Sequence, residues 1–398
     1  MLKFRWETEF KEMETGEIPK EWDEKPLEEI IVDIQKGKTP QKRHGNLPYL
    51  SAKFLRGEEE PEGYYDKEAG VFVDENDIII LWDGSNSGEI FKGKKGLLAS
   101  TMCKLILKEQ VSKEFIYFVL KSKEDELKDA KSGTDDRHVD KDYFLTISTP
   151  YPHLQEQEII ASVLSWFDDL IENKKRQNEV LEKVAMTVFK SWFVDFEPFR
   201  DGEFESSELG EIPKGWRVAK LIDLSEIIMG QSPPSKYYNE DGEGLPFIQG
   251  KGQFGKYTPE TTVYCSCEGK IAKPLDVLIT VRAPVGELNI ADRDYTIGRG
   301  VASLRSKYWG FVFCWLKQNN ELIQAYQRGT TFEAITKQEL DNFLILLPPT
   351  PTLEAFESIV ELLFQKILLN QKQVMVLRKV RDTLLPLLVF GRLRVEEI

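Results

Sequence analysis

Cysteine, methionine and histidine are all scarce in this 398-residue chain, with 4, 6 and 3 residues respectively. Cys103, Cys265, Cys267 and Cys314 follow no repeated spacing, so no disulfide framework is expected and the thiols should stay reduced. No second Cys or His pair stands at zinc spacing to complete Cys265-Ser-Cys267, and no metal ligand is assigned. No apolar run reaches about 18 residues, so no transmembrane helix is expected. The charged start MLKFRWETEF lacks a signal core, and the expectation is a cytoplasmic protein with no membrane partner. Phosphate-cradling G-x-x-x-x-G-K-[ST] and a plausible dinucleotide-binding G-x-G-x-x-G are both missing. The Asp-rich GTDDRHVD at 133–140 resembles a metal loop, but its counterpart GTTFEAIT at 329–336 has no Asp. Glu268-Gly-Lys270, with Glu260 upstream, has the spacing of a metal-dependent nuclease core, yet nothing matches it in the paired position. No catalytic residue is assigned.

Acid is also missing, locally. The chain carries a formal charge of −14, which argues against a polyanionic partner until its distribution is read. Ile34–Gly57 and Ile90–Lys108 contain no Asp or Glu, and neither do Gly244–Pro259 and Tyr295–Asn320. Phosphate binding depends on the field at one face, because charges beyond about 10 Å are largely screened at 0.1 M salt. Acid-free runs in paired positions therefore suggest anion-binding faces, although each run alone reads equally as a solvated loop.

What is present is a repeat. GEIPKEW at 16–22 returns as GEIPKGW at 210–216, NLPYL (46–50) as GLPFI (244–248), and DIIILWDGSNSGEI (77–90) as DVLITVRAPVGEL (276–288). SGTDDRHVDKDYF (132–144) is answered by RGTTFEAITKQEL (328–340). A period this long is a duplicated module and not a short solenoid unit. Short β-type runs broken by Gly and Pro predict α+β domains over 1–153 and 211–350.

A different texture follows each module. Residues 153–193 contain no Gly or Pro, and Leu164, Phe167, Ile171, Asn178, Leu181 and Val188 lie on a seam of three- and four-residue steps. Leu363, Ile367, Asn370, Val374, Leu377 and Leu384 form the second seam. The spacing predicts long helices over 154–193 and 351–390, an acidic linker over 194–210 and a short tail over 391–398. The helices either pair with each other as an antiparallel coiled coil, with Asn178 and Asn370 fixing register, or pack on their own domains.

A two-station binder on a helical spacer suits double-stranded DNA read in two places. The candidate contacts of the first module are Lys36, Lys38, Lys42, Arg43, Lys53, Arg56, Ser85, Asn86, Lys92, Lys94 and Lys95. Those of the second are Gln231, Ser235, Lys236, Lys251, Gln253, Lys256, Arg282 and Arg299. Cations would set position on phosphates, and Ser, Asn, Gln and Arg would read base edges. The competing reading is a protein scaffold whose lobes bind no DNA.

The ordered series resembles the specificity subunit of type I restriction–modification systems. It comprises two GEIPK-x-W openings, the Gly37–Pro40 step with GQSP at 230–233, SGT and RGT, HLQEQEIIASVL, and the ending DTLLPLLVFGRL. The resemblance implies two target-recognition domains reading an interrupted sequence, with the helices as an antiparallel spacer. It also implies partners: two adenine methyltransferase subunits using S-adenosylmethionine, and restriction subunits that use ATP and magnesium to translocate and cut. The chain itself would hold no cofactor and catalyse nothing. EQEII and WFDDLIENKK would be docking segments for the methyltransferases, and the second copy, TLEAFESIVELL, lacks the Glu-Gln pair.

Overall fold

The computed structural model describes residues 2–6, 9–41, 44–129, 138–329 and 334–397. The chain forms two compact units, Met1–Leu170 with Val376–Ile398, and Ile171–Met375. Each long helix is therefore shared between the units.

In the first unit the Gly16–Pro19 strand pairs with Phe10–Met13 as a hairpin, and Ile18 and Trp22 of the GEIPKEW segment are buried. The main sheet is antiparallel, in the order Ile90–Lys92, Ile78–Leu81, Met102–Leu107, Ile31–Lys36. Ile78–Leu81 is a run of β-branched and apolar residues, all buried, as a strand covered on both faces requires. Ile78 and Ile80 join the core around Leu105, Phe115 and Phe144, whereas Ile79 and Leu81 join a second core around Tyr49, Leu97 and Met102. That second core lies under a smaller sheet in which Leu47–Leu50 runs parallel to Gly96–Leu98.

The second unit repeats this plan. Its main sheet runs Glu226–Met229, Val301–Arg305, Val277–Thr280, Leu288–Ile290, and its smaller sheet again pairs Leu245–Ile248 parallel to Tyr295–Ile297. Val277 and Ile279 face one core and Leu278 the other. The glycine of each G-x-[TS]-P step is fixed by close approach. A Cβ at Gly37 would lie 2.0 Å from the Ala99 carbonyl oxygen, and one at Gly230 2.2 Å from that of Gly298. A buried carboxylate also recurs before each central strand. Asp77 accepts from the Asp74 amide and pairs with Lys104 at 2.6 Å, while Asp276 accepts from the Lys273 amide and pairs with Arg305 at 2.8 Å.

The long helices, Leu154–Phe193 and Thr350–Val389, are 40 residues each. In the second unit Asn178 meets Asn370, and Phe189 meets Phe356 with ring centroids 5.9 Å apart, so the two helices pass in opposite senses. In the first unit Arg381 bonds Asp168 at 2.6 Å, and Leu164 shares a core with Leu385 and Leu388. Leu164, Ile171, Asn178 and Ala185 are buried at heptad spacing, as are Leu353, Val360, Ile367 and Val374. Of the other expected seam residues, Asn370 is buried, while Phe167, Leu181, Val188, Leu363, Leu377 and Leu384 are half-buried. Phe189, Phe356 and Phe364, which the seam did not include, are almost wholly buried.

The 194–210 segment, expected as a linker, folds onto the second unit. Its Phe196 and Phe199 rings lie 5.5 and 5.1 Å from that of Trp216. Phe204–Ser207 forms a hairpin with Gly210–Pro213.

Candidate nucleic-acid interface

The acid-free runs are acid-free only along the chain. Folding supplies carboxylates to many of their cations from elsewhere. Lys36 pairs with Asp83 at 2.8 Å, Lys53 with Glu59 at 2.6 Å, and Arg56 with Glu89 through its Nε at 3.0 Å and also through Nη2. The Asp83 carboxylate raises the Lys36 pKa above the ordinary lysine value. In the second unit Lys251 pairs with Glu287, Lys256 with Glu179 at 2.6 Å, Lys307 with Glu354 at 2.9 Å, and Lys317 with Glu182. A phosphate approaching these groups competes with a carboxylate already in contact. The surface field expected from the runs is correspondingly reduced.

Other candidates remain open. Lys38, Lys94, Lys95, Arg282 and Arg299 are exposed and form no ion pair among the described residues. Lys92 is half-buried at the end of its strand. Lys94 lies over the Phe54 ring at 5.4 Å and Lys236 over Tyr237 at 4.9 Å, so both keep their charge at the surface on an aromatic support. Lys42 and Arg43 lie outside the described residues, as do Ser132–Thr134 of SGT and the Thr of RGT.

One hairpin loop in each unit carries candidate residues of its own. In the first, residues 82–89 connect Ile78–Leu81 to Ile90–Lys92, with Ser85 and Asn86 exposed at the tip. Asp83 of this loop holds Lys36 and lies 2.6 Å from His138 Nδ1. In the second, residues 281–287 connect Val277–Thr280 to Leu288–Ile290, with Arg282 exposed. Thr280 Oγ1 donates to the Pro284 carbonyl at 2.6 Å and accepts from the Glu287 amide at 3.0 Å, which shapes this loop from beneath.

Gln231 and Ser235 are exposed, and the Ser232 hydroxyl beside them accepts from the Arg299 amide at 3.2 Å, bringing Gln231 and Arg299 to one place. Gln253 is only half-buried, but its Oε1 accepts from the Gln249 and Gly250 amides at 3.1 and 3.2 Å and shapes its own loop. Lys256 is turned toward the helix, where the adjacent Tyr257 hydroxyl donates to Glu182 at 2.9 Å. Burial and the Glu182 charge push that phenol above the ordinary tyrosine value.

The Glu-Gln pair expected to dock a partner faces inward. Glu156 accepts from the Trp22 indole at 3.0 Å and from Arg394, while buried Gln157 accepts from the Ser112 amide and donates to the Pro152 carbonyl. In the second unit Glu357 plays the matching part, accepting from the Gly310 and Phe311 amides at 2.8 and 2.9 Å. Several exposed apolar residues of the helices lie away from the Glu-Gln pair. Trp166, Leu170, Val376 and Val380 belong to the first unit, and Val180, Leu362, Leu369 and Met375 to the second. Glu268 and Lys270 are exposed, and among the described residues no three His, Cys, Asp or Glu gather to hold a metal. No helix among the described residues is long and apolar enough to cross a membrane.

A doubled module with one repeated loop site defines a class of two-domain recognition proteins, and comparison with known proteins identifies it. The model of the type I restriction modification DNA specificity domain matches twice, over residues 19–183 and 213–375. The chain belongs to that family. It is similar over its whole length, at 35% identity, to the type I restriction enzyme MjaIX specificity subunit of Methanocaldococcus jannaschii, covering 99% of that protein. The MjaVIII specificity subunit of the same organism is 31% identical, again over 100% of this chain and 99% of the relative. The solved S subunit of the M. genitalium type I restriction-modification system shares the fold, with a TM-score of 0.61 at 19% identity, covering 92% of this chain and 96% of that one.

Proposed function

We propose that the chain is the DNA-reading subunit of a type I restriction–modification complex, and that each unit reads one part of an interrupted duplex target. The observation that carries this reading is the repetition of one sheet plan with an exposed hairpin loop in both family-matched segments. Exposed Lys38, Lys94, Lys95 and Arg299 would set register on phosphates. Side chains on the hairpin loops would read base edges in the groove.

The two long helices would form an antiparallel coiled coil that sets the spacing between target parts. Heptad burial and the buried Asn178–Asn370 hydrogen bond of 2.8 Å support this. In domain terms, 1–153 and 211–350 would be the recognition lobes, 154–193 and 351–390 the spacer helices, 194–210 the connection and 391–398 the tail. Two methyltransferase subunits would dock on the helices, with Trp166 and Leu170 offering apolar contact in the first unit. S-adenosylmethionine, ATP and magnesium would belong to the methyltransferase and restriction partners, and this chain would supply recognition without catalysis.

Titration of the full chain, bound to its methyltransferase, against host genomic fragments in rising salt tests the reading. Retention of a subset of fragments over excess unrelated duplex, weakening steeply with salt, is the expected result. Equal loss of all fragments at every salt concentration would favour a protein scaffold instead.

A further inference from the structure

We infer that Glu89 and Glu287 are positioning residues for the base-reading loops, each tethering its hairpin through an ion pair to the segment after the parallel strand. The inference rests on the proposed reading of DNA by both units.

The geometry is the same twice. In the first unit the loop is closed at its base by hydrogen bonds from the Gly88 amide to the Leu81 carbonyl and from the Leu81 amide to the Glu89 carbonyl, both 2.8 Å. In the second, the Gly286 amide donates to the Thr280 carbonyl at 3.0 Å and the Thr280 amide to the Glu287 carbonyl at 2.9 Å. Gly88 and Gly286 have φ of 95° and 89°, left-handed values that turn the following Glu back across the loop. Glu89 then receives a two-pronged contact from Arg56, with its Nε 3.0 and 3.1 Å from the two carboxylate oxygens. Glu287 receives Lys251.

The cation is not inherited from one aligned position. By the repeat, NLPYLSAK matches GLPFIQGK and places Lys53 opposite Lys251, yet Lys53 pairs with Glu59 at 2.6 Å. Arg56, at the end of the Ala52–Arg56 helix, makes the contact instead, whereas Lys251 opens the short helix Lys251–Gln253. The same tether is built from different cations on equivalent segments. A requirement on loop position accounts for this recurrence.

The tether leaves exposed the groups that suit base edges. Asn86 in the first loop matches the acceptor–donor pair of adenine, and Arg282 in the second matches the paired acceptors of guanine. Such contacts are directional, so a displaced loop loses discrimination between bases while surrounding cations still hold the phosphates.

The test is selection from a random-sequence duplex library by the full chain in complex with its methyltransferase. Wild type should enrich an interrupted sequence. E89Q should flatten base preference in one part only and E287Q in the other, with mismatched sites in that part recovered about tenfold more often. The reversed pair K251E/E287K should restore preference where E287Q lost it. Unchanged preference in both single variants would overturn the inference. So would equal loss in both parts, or a folded reversed pair that stays relaxed, since these mark the pairs as general supports. A wild-type complex that enriches nothing would overturn the underlying reading of DNA, and this inference with it.

Discussion

Glu357 gives the second unit a pH dependence that can be worked out from its surroundings. It is 5% exposed, on the second long helix, and its two oxygens accept from the Gly310 and Phe311 amides at the start of the Trp309–Gln318 helix. Burial, with a smaller contribution from the Glu361 charge, pushes its pKa from 4.5 up to about 7, against the opposing pull of the two amides. Because the folded pKa is raised, the folded state holds a proton that the unfolded chain has released between pH 4.5 and 7. Stability contributed by this group is therefore full below pH 4.5, falls through the window and is flat above it. At 1.36 kcal/mol per unit the loss is about 3 kcal/mol. Glu357→Gln is close in shape to the protonated acid and cannot ionise. Denaturant unfolding of the full chain, followed by tryptophan fluorescence, should put the variant below wild type at pH 4, because its side-chain NH2 cannot accept from one of the two backbone amides. The variant should gain about 3 kcal/mol on wild type by pH 8. A constant difference across that range, or wild type gaining with pH, would refute the reasoning and mean that the two amides outweigh burial.

The Asn178–Asn370 bond leaves Asn178 Nδ2 and Asn370 Oδ1 buried with no partner among the described residues. Replacing both with Leu should raise stability by about 1–3 kcal/mol in denaturant titrations, whereas N370L alone should lower it. Arg394, nearly buried against Trp22, is held by Glu156 and Glu21. R394A should cost the first unit about 2–3 kcal/mol, seen as an earlier unfolding transition that spares the second unit. If Lys38 and Lys95 meet phosphates, K38A and K95A should each reduce the slope of log affinity against log salt by about 0.9, measured by fluorescence anisotropy. An unchanged slope would remove them from the interface.

The repeat made the architecture legible. GEIPKEW and GEIPKGW become matching hairpins, and DIIIL and DVLIT become the central strand of the same sheet. These features are local, set by glycine placement and runs of β-branched residues, and local features can be read from a string. Heptad periodicity likewise anticipated both long helices and the buried asparagines. Electrostatic partners were not legible, because ion pairs such as Arg56–Glu89 and Lys104–Asp77 join residues far apart in sequence. An acid-free stretch therefore says little about the charge that surrounds it after folding. One signal was available: the Glu of SGEI recurs in VGEL, and neither carboxylate was among the expected contacts. The Glu156-Gln157 pair misled in the opposite direction. The family resemblance implied docking through EQEII, but Trp22, Arg394 and Ser112, brought in from distant parts of the chain, turn its Glu156 and Gln157 inward.

The central claim is that this chain directs modification to a two-part DNA sequence. The most direct measurement is the adenine methylome of a host carrying this gene and a type I methyltransferase subunit that binds its product, compared with the same host lacking only this gene. The account predicts an interrupted motif, methylated in both parts, that disappears with the gene. Unchanged methylation in its absence, with the methyltransferase expressed, would contradict the account.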